Sequence, residues 1–208
     1  MTTCDGLIAI VEDDEPVRDS LDALLMAEGY TTRLFGLAQE FLASEQSDAR
    51  CILLDVRLPD GDGIDILQTL IDRGLKTPII IMTGHGDVPM AVRAMRIGAA
   101  DFLEKPFEPS DLLTSIHSAI QRFETVVRAD QMATEAQRRL DDLTPRESDV
   151  MKQLVLGRSN KIIAYELGLS PRTVEVHRAR VMEKTSAKSL SELVRLAIAA
   201  GVEPDATT

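Results

Sequence analysis

Apolar residues follow two rhythms along this chain. Leu7-Ile8-Ala9-Ile10-Val11, Cys51-Ile52-Leu53-Leu54 and Pro78-Ile79-Ile80-Ile81-Met82 are short continuous runs bounded by turn formers. Such runs read as strands buried on both faces. Between them apolar residues recur at helical spacing: Val17, Leu21, Leu24 and Leu25, then Ile64, Leu67, Leu70 and Ile71, then Met90 to Ile97. Weaker patterns place a strand over Tyr30 to Leu34, a helix over Leu37 to Ala43, a strand over Ala99 to Glu104 and a helix over Pro109 to Phe123. Five strands alternating with five helices predict an α/β fold, a doubly wound five-stranded parallel sheet with helices on both faces.

The rhythm changes after residue 123. Residues 124–142 are polar and charged, lack Gly and Pro, and read as a mostly helical linker continuing the fifth helix; a disordered tether is the alternative. From Leu143 onward every pattern is helical. Thr144, Pro145 and Glu147 form a capping box, and Val150, Met151, Leu154 and Val155 give one buried face. Lys161 to Leu167 is a short helix, Gly168 a turn, and Ser170-Pro171 the start of a helix reaching about Thr185 that buries Val174 and Val181. A last helix covers Leu190 to Ala200. The predicted organisation is an α/β domain over 1–123, a linker over 124–142 and a small all-α helix-turn-helix domain over 143–203. A pair of helices around a glycine turn also fits an ordinary helical hairpin.

Charge separates the two parts. The whole chain carries a formal −11. Residues 143–208 hold 10 Lys and Arg against 8 Asp and Glu, while residues 1–142 hold 13 against 26. The acidic part should repel phosphate backbones, so any contact with DNA belongs to the second part. No apolar run is long enough for a membrane span, no signal peptide is visible, and Cys4 and Cys51 do not make a disulfide scaffold. The expected location is cytoplasmic.

Chemistry concentrates where strands end. Right-handed crossovers bring the C-terminal ends of parallel strands to one edge. Glu12 and Asp13, Asp55, Thr83 and Lys105 all stand at such ends. Any lone strand-end Asp would be a loop cap; the coincidence over four strands argues a site. Mg²⁺ or Mn²⁺ takes oxygen ligands, which Asp13, Asp55, the backbone carbonyl of Arg57 and Glu12 (through a water) can supply. Asp14 is the alternative to Glu12 as second acid. Lys105 offers a point charge and Thr83 a hydroxyl to phosphoryl oxygens. The set suits nucleophilic attack by Asp55 on phosphorus. His85 and Asp87 lie in a Gly-flanked loop. His85 and Arg57 are expected to line the phosphate pocket rather than hold the metal, and Asp87 to cap the fourth helix.

The set Glu12-Asp13, Asp55, Thr83 and Lys105-Pro106 resembles the receiver domain of two-component response regulators over residues 5–123. The resemblance implies a sheet order of 2-1-3-4-5, the arrangement known for such proteins. It implies phosphoryl transfer to Asp55 from a phosphohistidine on a sensor histidine kinase, with a divalent metal. It makes Thr83 and Phe102 a switch pair, although Phe102 alone would read as plain core. It implies a cis Lys105-Pro106 bond, and a protein whose only chemistry is its own phosphorylation and dephosphorylation rather than a turnover enzyme.

Leu143-Thr-Pro-Arg-Glu147, Asn160-Lys-Ile-Ile-Ala164 and Ser170-Pro-Arg-Thr-Val-Glu-Val-His177 resemble the LuxR-type DNA-binding domain, and the whole chain is similar to FixJ-type regulators. By that resemblance Glu175, Val176 and Ala179 face a DNA groove alongside Arg172 and Arg178. Val176 meets a thymine methyl and Glu175 a cytosine amine. Lys161, Arg172, Arg178 and Arg180 meet phosphates, with Thr173 in the same surface. His177 packs or caps. The resemblance further implies a homodimer on phosphorylation, promoter DNA and RNA polymerase as partners, and nitrogen-fixation or microaerobic target genes.

Two rival classes fit less well. Haloacid-type phosphatases also use Asp, Mg²⁺, Thr or Ser, and Lys, but place a second Asp two residues after the nucleophile; here that position is Arg57. A flavodoxin-like nucleotide module needs a Gly-rich loop after the first strand, where this chain has acids.

Overall fold

The structure is a computed structural model and describes residues 6–46, 48–84 and 88–202. His85 and Asp87, Cys4 and the tail beyond Val202 lie outside the described residues. The chain divides into two compact units, Met1–Glu124 and Thr125–Thr208.

The first unit contains β1 (Leu7–Val11), α1 (Glu15–Ala27), β2 (Thr31–Phe35), α2 (Ala38–Ala43), β3 (Ala49–Asp55), a ribbon of β4 (Arg57–Leu58) and β5 (Gly61–Asp62), α3 (Gly63–Asp72), β6 (Ile79–Thr83), α4 (Val88–Ile97) and β7 (Asp101–Glu104). The helix α5 (Pro109–Asp141) follows. β2, β1, β3, β6 and β7 form one parallel sheet in that spatial order. With the ribbon set aside, this is the 2-1-3-4-5 order. The fold class is as expected from the alternation of strand and helix patterns.

Period-two alternation along the central strands feeds two separate cores. Ala9, Val11, Ile52, Leu54, Ile79 and Ile81 pack with α2, α3 and α4 through Phe41, Leu67, Leu70 and Ala94. Ile8, Ile10, Cys51, Leu53, Ile80 and Met82 pack with α1 and α5 through Leu21, Leu25, Leu112 and Ile116. Both faces of β1, β3 and β6 are therefore buried, which is why these strands read as unbroken apolar runs.

Local corrections have local causes. Pro16 is the second helical residue, because Asp14 caps α1 and Glu15 opens it. After Asp55 the chain forms an antiparallel ribbon pairing Arg57 with Asp62 and Leu58 with Gly61. The stretch 124–142 is the end of α5, and from Thr125 it falls in the second unit, with Ala136 and Leu140 buried. This is the helical continuation of the fifth helix that the sequence predicts, although only a few of its apolar residues face a core.

The second unit continues with α6 (Pro145–Val155), α7 (Asn160–Leu167), α8 (Pro171–Lys184) and α9 (Leu190–Ala199). Its core holds Leu140, Val150, Met151, Leu154, Ile163, Val174, Val181 and Leu193. The capping box at Thr144 and Glu147 is formed in both directions. Among the described residues, no helix is long and apolar enough to cross a membrane.

Candidate functional site

The expected strand ends do converge. Beyond β1, the Glu12 N–H donates to the Phe35 carbonyl at 3.0 Å, which holds Glu12 at the edge of the sheet. Asp14 turns away, accepting the Val17 N–H at 3.3 Å as the α1 cap. That task separates it from its two neighbours. Glu12, Asp13 and Asp55 each offer a carboxylate oxygen within 4.8 Å of the others, with Glu12 and Asp55 buried and Asp13 exposed. Three hard oxygen donors so close together fit Mg²⁺ or Mn²⁺ by charge and by ligand chemistry.

Asp55 closes β3 and pairs with Met82 of β6. One residue further, Thr83 is 1% exposed and pairs with Glu104 of β7. The Lys105 N–H donates to the Thr83 carbonyl at 2.7 Å, and the Lys105–Pro106 bond is cis. From there Lys105 Nζ donates to Asp55 Oδ1 at 2.8 Å and to Glu12 Oε2 at 2.5 Å. The Arg57 N–H donates to Asp55 Oδ2 at 3.0 Å, so both oxygens of Asp55 are oriented. The Arg57 side chain is exposed, and its carbonyl lies in the ribbon that follows.

Electrostatics follow from this arrangement. Burial pushes the Glu12 carboxyl above the usual carboxylate range; the hydrogen bond and charge of Lys105 oppose this without cancelling it, and Asp55 and Asp13 add repulsion. Burial alone would lower the Lys105 ammonium, but the hydrogen bonds and charges of Asp55 and Glu12 prevail and raise it. A single cation facing several acids leaves excess negative charge, the condition under which a divalent cation is favoured.

Phe102 is half-buried in β7 and packs against the core on the α3–α4 face. It pairs with Ile81, which faces the same core, and Thr83 follows Ile81 by two residues in β6. The period of two therefore puts Thr83 and Phe102 on one face of adjacent strands.

Three supporting residues went unrecognised in the sequence. A Cβ on Gly63 would stand 2.2 Å from the Asp55 carbonyl oxygen, and the Gly63 N–H donates to Val56 at 2.7 Å. No sequence signal reports this close approach. Asp60 accepts the Ala38 and Gln39 N–H groups at 2.8 and 2.9 Å, which holds its carboxyl below the usual range and ties the loop after Asp55 to α2. Arg18 donates to the Glu12 and Asp13 carbonyls at 2.8 and 3.4 Å.

In the second unit α7 and α8 form the expected helix-turn-helix. Gly168 takes the left-handed conformation (φ 64°), and the Leu169 N–H donates to Ala164 at 2.8 Å. Ser170 caps α8 by accepting the Thr173 N–H at 3.1 Å. Val174 and Val181 are buried; Arg172, Glu175, Val176, Ala179 and Arg180 are exposed on α8, and Lys161 is exposed on α7. Thr173 is half-buried beside the cap, with its hydroxyl 2.8 Å from that of Ser170. Arg178 is half-buried and donates to Asn160 Oδ1 at 3.4 Å. His177 is half-buried too, its Nδ1 enclosed without a hydrogen-bond partner among the described residues. Glu147 is buried and accepts from Lys184 Nζ at 2.6 Å and from the Thr144 N–H at 2.9 Å. Lys184 first, then Thr144, draws the Glu147 carboxyl down to about 2.

A sheet edge bearing clustered acids and a lysine, followed by a helix-turn-helix, defines a regulator with a receiver input and a DNA-binding output. The model of the response regulator receiver domain matches residues 8–117, and that of the bacterial regulatory proteins of the luxR family matches residues 141–197. The chain belongs to the two-component response regulators, in the FixJ-type group with a LuxR-type DNA-binding domain. It is 48% identical to the transcriptional regulatory protein FixJ of Bradyrhizobium diazoefficiens, over 98% of this chain and all of that one. The solved structure of the response regulator StyR aligns with a TM-score of 0.78 at 36% identity, covering 93% of this chain and 98% of that chain. Full-length FixJ from B. japonicum aligns with a TM-score of 0.60 at 48% identity, covering 95% and 98%. The protein is thus a transcription regulator rather than an enzyme of turnover.

Proposed function

We propose that Asp55 is the phosphoacceptor of this regulator and that its modification controls promoter binding. The observation that carries this reading is the contact of half-buried Lys105, through Nζ, with Asp55 Oδ1 and Glu12 Oε2 of two buried acids. A carboxylate oxygen of Asp55 attacks the phosphorus of a phosphohistidine on a sensor kinase. The N–P bond breaks, its electron pair returns to the imidazole, and an aspartyl phosphate forms. Lys105 faces the phosphoryl oxygens, and the Thr83 hydroxyl donates to them. Mg²⁺ or Mn²⁺, when bound, neutralises phosphoryl charge; Asp13, Asp55 and the Arg57 carbonyl would hold it, with Glu12 acting through water.

Phosphorylation then shifts a population. Thr83 moves toward the phosphate and Phe102 turns inward, biasing the α4–β7 face toward a homodimer. Val88, Val92 and Met95, at helical spacing on α4, are all exposed, which supports this face as an interface. In this reading residues 1–123 are the receiver, 124–142 the connecting helix and 143–203 the DNA reader. Glu175, Val176 and Ala179 read bases, and Lys161, Arg172, Thr173, Arg178 and Arg180 serve the phosphates. The bound dimer recruits RNA polymerase. Similarity to FixJ supports an oxygen-sensing kinase and nitrogen-fixation or microaerobic genes.

Incubation with acetyl phosphate and Mg²⁺, followed by intact-mass measurement and gel filtration, tests the reading. Wild type should gain one acid-labile phosphoryl group and elute as a dimer, and Asp55→Asn should do neither. Labelling of Asp55→Asn, or a labelled monomer, would refute it.

A further inference from the structure

We infer that Arg18 is a positioning residue for the Glu12–Asp13 pair, so that divalent-cation affinity depends on a side chain that need not touch the cation. The inference rests on the metal-dependent reading of the site given above. Arg18 lies in the first turns of α1 and is half-buried. Its Nη1 donates to the carbonyl of Glu12 at 2.8 Å and to that of Asp13 at 3.4 Å. Those two peptide units carry two of the three clustered carboxylates.

Several further bonds converge on the same turn. The Arg18 N–H donates to the Asp14 carbonyl at 2.9 Å, and the Glu12 N–H is held by Phe35 at 3.0 Å. The turn from β1 into α1 is thus fastened on the sheet side by Phe35 and on the helix side by Arg18. The guanidinium lies beside Gly36, where a Cβ would be in ordinary van der Waals contact with Nη1 at 3.4 Å.

The physical need is plain. Glu12 and Asp13 are adjacent, so their side chains would diverge in a regular strand. Their convergence on Asp55 requires an irregular main chain between them, and carboxylate repulsion pulls against that conformation. Outer partners of ligands hold them in place, and losing one typically costs about tenfold or more in metal affinity. Arg18 acts here on the main chain rather than on a carboxylate, so it fixes the direction of the ligands without neutralising them.

The test is Mn²⁺ titration of the full chain by calorimetry, with thermal unfolding recorded on the same samples. The variants are Arg18→Ala, Arg18→Lys and, as a control in the same helix, Val17→Ala, which trims the core beneath α1. Arg18→Ala should weaken Mn²⁺ binding about tenfold. Arg18→Lys, which keeps a donor on a shorter reach, should fall between it and wild type. Val17→Ala should lower the melting temperature with little change in affinity. Arg18→Ala binding like wild type would overturn the inference, as would a loss of affinity in Val17→Ala equal to that in Arg18→Ala. Wild type binding no Mn²⁺, or binding it equally in Asp55→Asn and Asp13→Asn, would instead overturn the reading of the site.

Discussion

Lys105 Nζ bridges Asp55 Oδ1 and Glu12 Oε2 at 2.8 and 2.5 Å, across 50 and 93 residues of sequence. The ammonium is raised above its ordinary value, so it holds its proton more tightly in the folded state than in the unfolded one. Its stabilising contribution is therefore complete below the unfolded value of 10.5 and is lost as pH rises through the higher folded value. Lys105→Ala should remove that alkaline dependence and abolish the switch, with phosphate-induced dimerisation as the readout.

Glu12 is raised as well, so its effect on stability runs in the same sense with pH. Its folded value lies above the unfolded 4.5, so folding favours its protonated form. Stability should rise as pH falls through the folded value, and the charged form costs free energy at neutral pH. Glu12→Gln mimics the protonated acid. It should stabilise the receiver at pH 7 while weakening Mn²⁺ binding. Paired urea melts and metal titrations check this; a variant that loses stability at pH 7 would contradict it.

Gly63→Ala should disturb the site from behind. The new methyl group would stand 2.2 Å from the Asp55 carbonyl oxygen and 2.8 Å from Val56 Cα, both main-chain atoms that cannot step aside. Overpacking of this kind costs about 1–3 kcal/mol. The expected outcome is a lower denaturation midpoint together with slower acetyl-phosphate labelling of Asp55.

In the second unit the acid limb should be set in part by Glu147. Its folded value, near 2, lies below the unfolded 4.5. The stability it adds is present above pH 4.5 and disappears as pH falls toward 2. Glu147→Gln should flatten that limb, followed by the amide signals of α6 and α8 in pH-dependent melts of the full chain.

DNA contacts should separate by their salt dependence. Arg172→Ala, Arg180→Ala and Lys161→Ala should each weaken binding to all sequences and reduce the slope of log affinity against log salt by about 1. Glu175→Ala should leave the slope and relax preference at one base pair by about 1–3 kcal/mol. Competition binding at two salt concentrations distinguishes the two classes.

Much of this molecule could be read in one dimension. The central strands are buried on both faces, so their apolar runs are continuous, and the helices between them show one apolar stripe each. Thr144 with Glu147, and Ser170 with Pro171, mark helix starts because capping is a matter of neighbours three residues apart. Even the strand-end acids and Lys105 could be grouped, because parallel crossovers leave all strand C-termini on the same edge.

Contacts between distant residues were another matter. The sequence favours Glu12 over Asp14 but keeps Asp14 as the alternative; the structure gives Asp14 to the cap of α1 and leaves Glu12 facing Lys105. Arg18, Asp60 and Gly63 carry no motif, because their work is done on main-chain groups that any residue supplies. That the polar stretch after residue 123 continues the fifth helix was legible, but that Ala136 and Leu140 enter a core there is not reported by local composition. Periodicity and capping are short-range and so are written in the order of residues. Which carboxylate meets which cation depends on how strands are ordered and how loops are fastened, and that was decided in three dimensions.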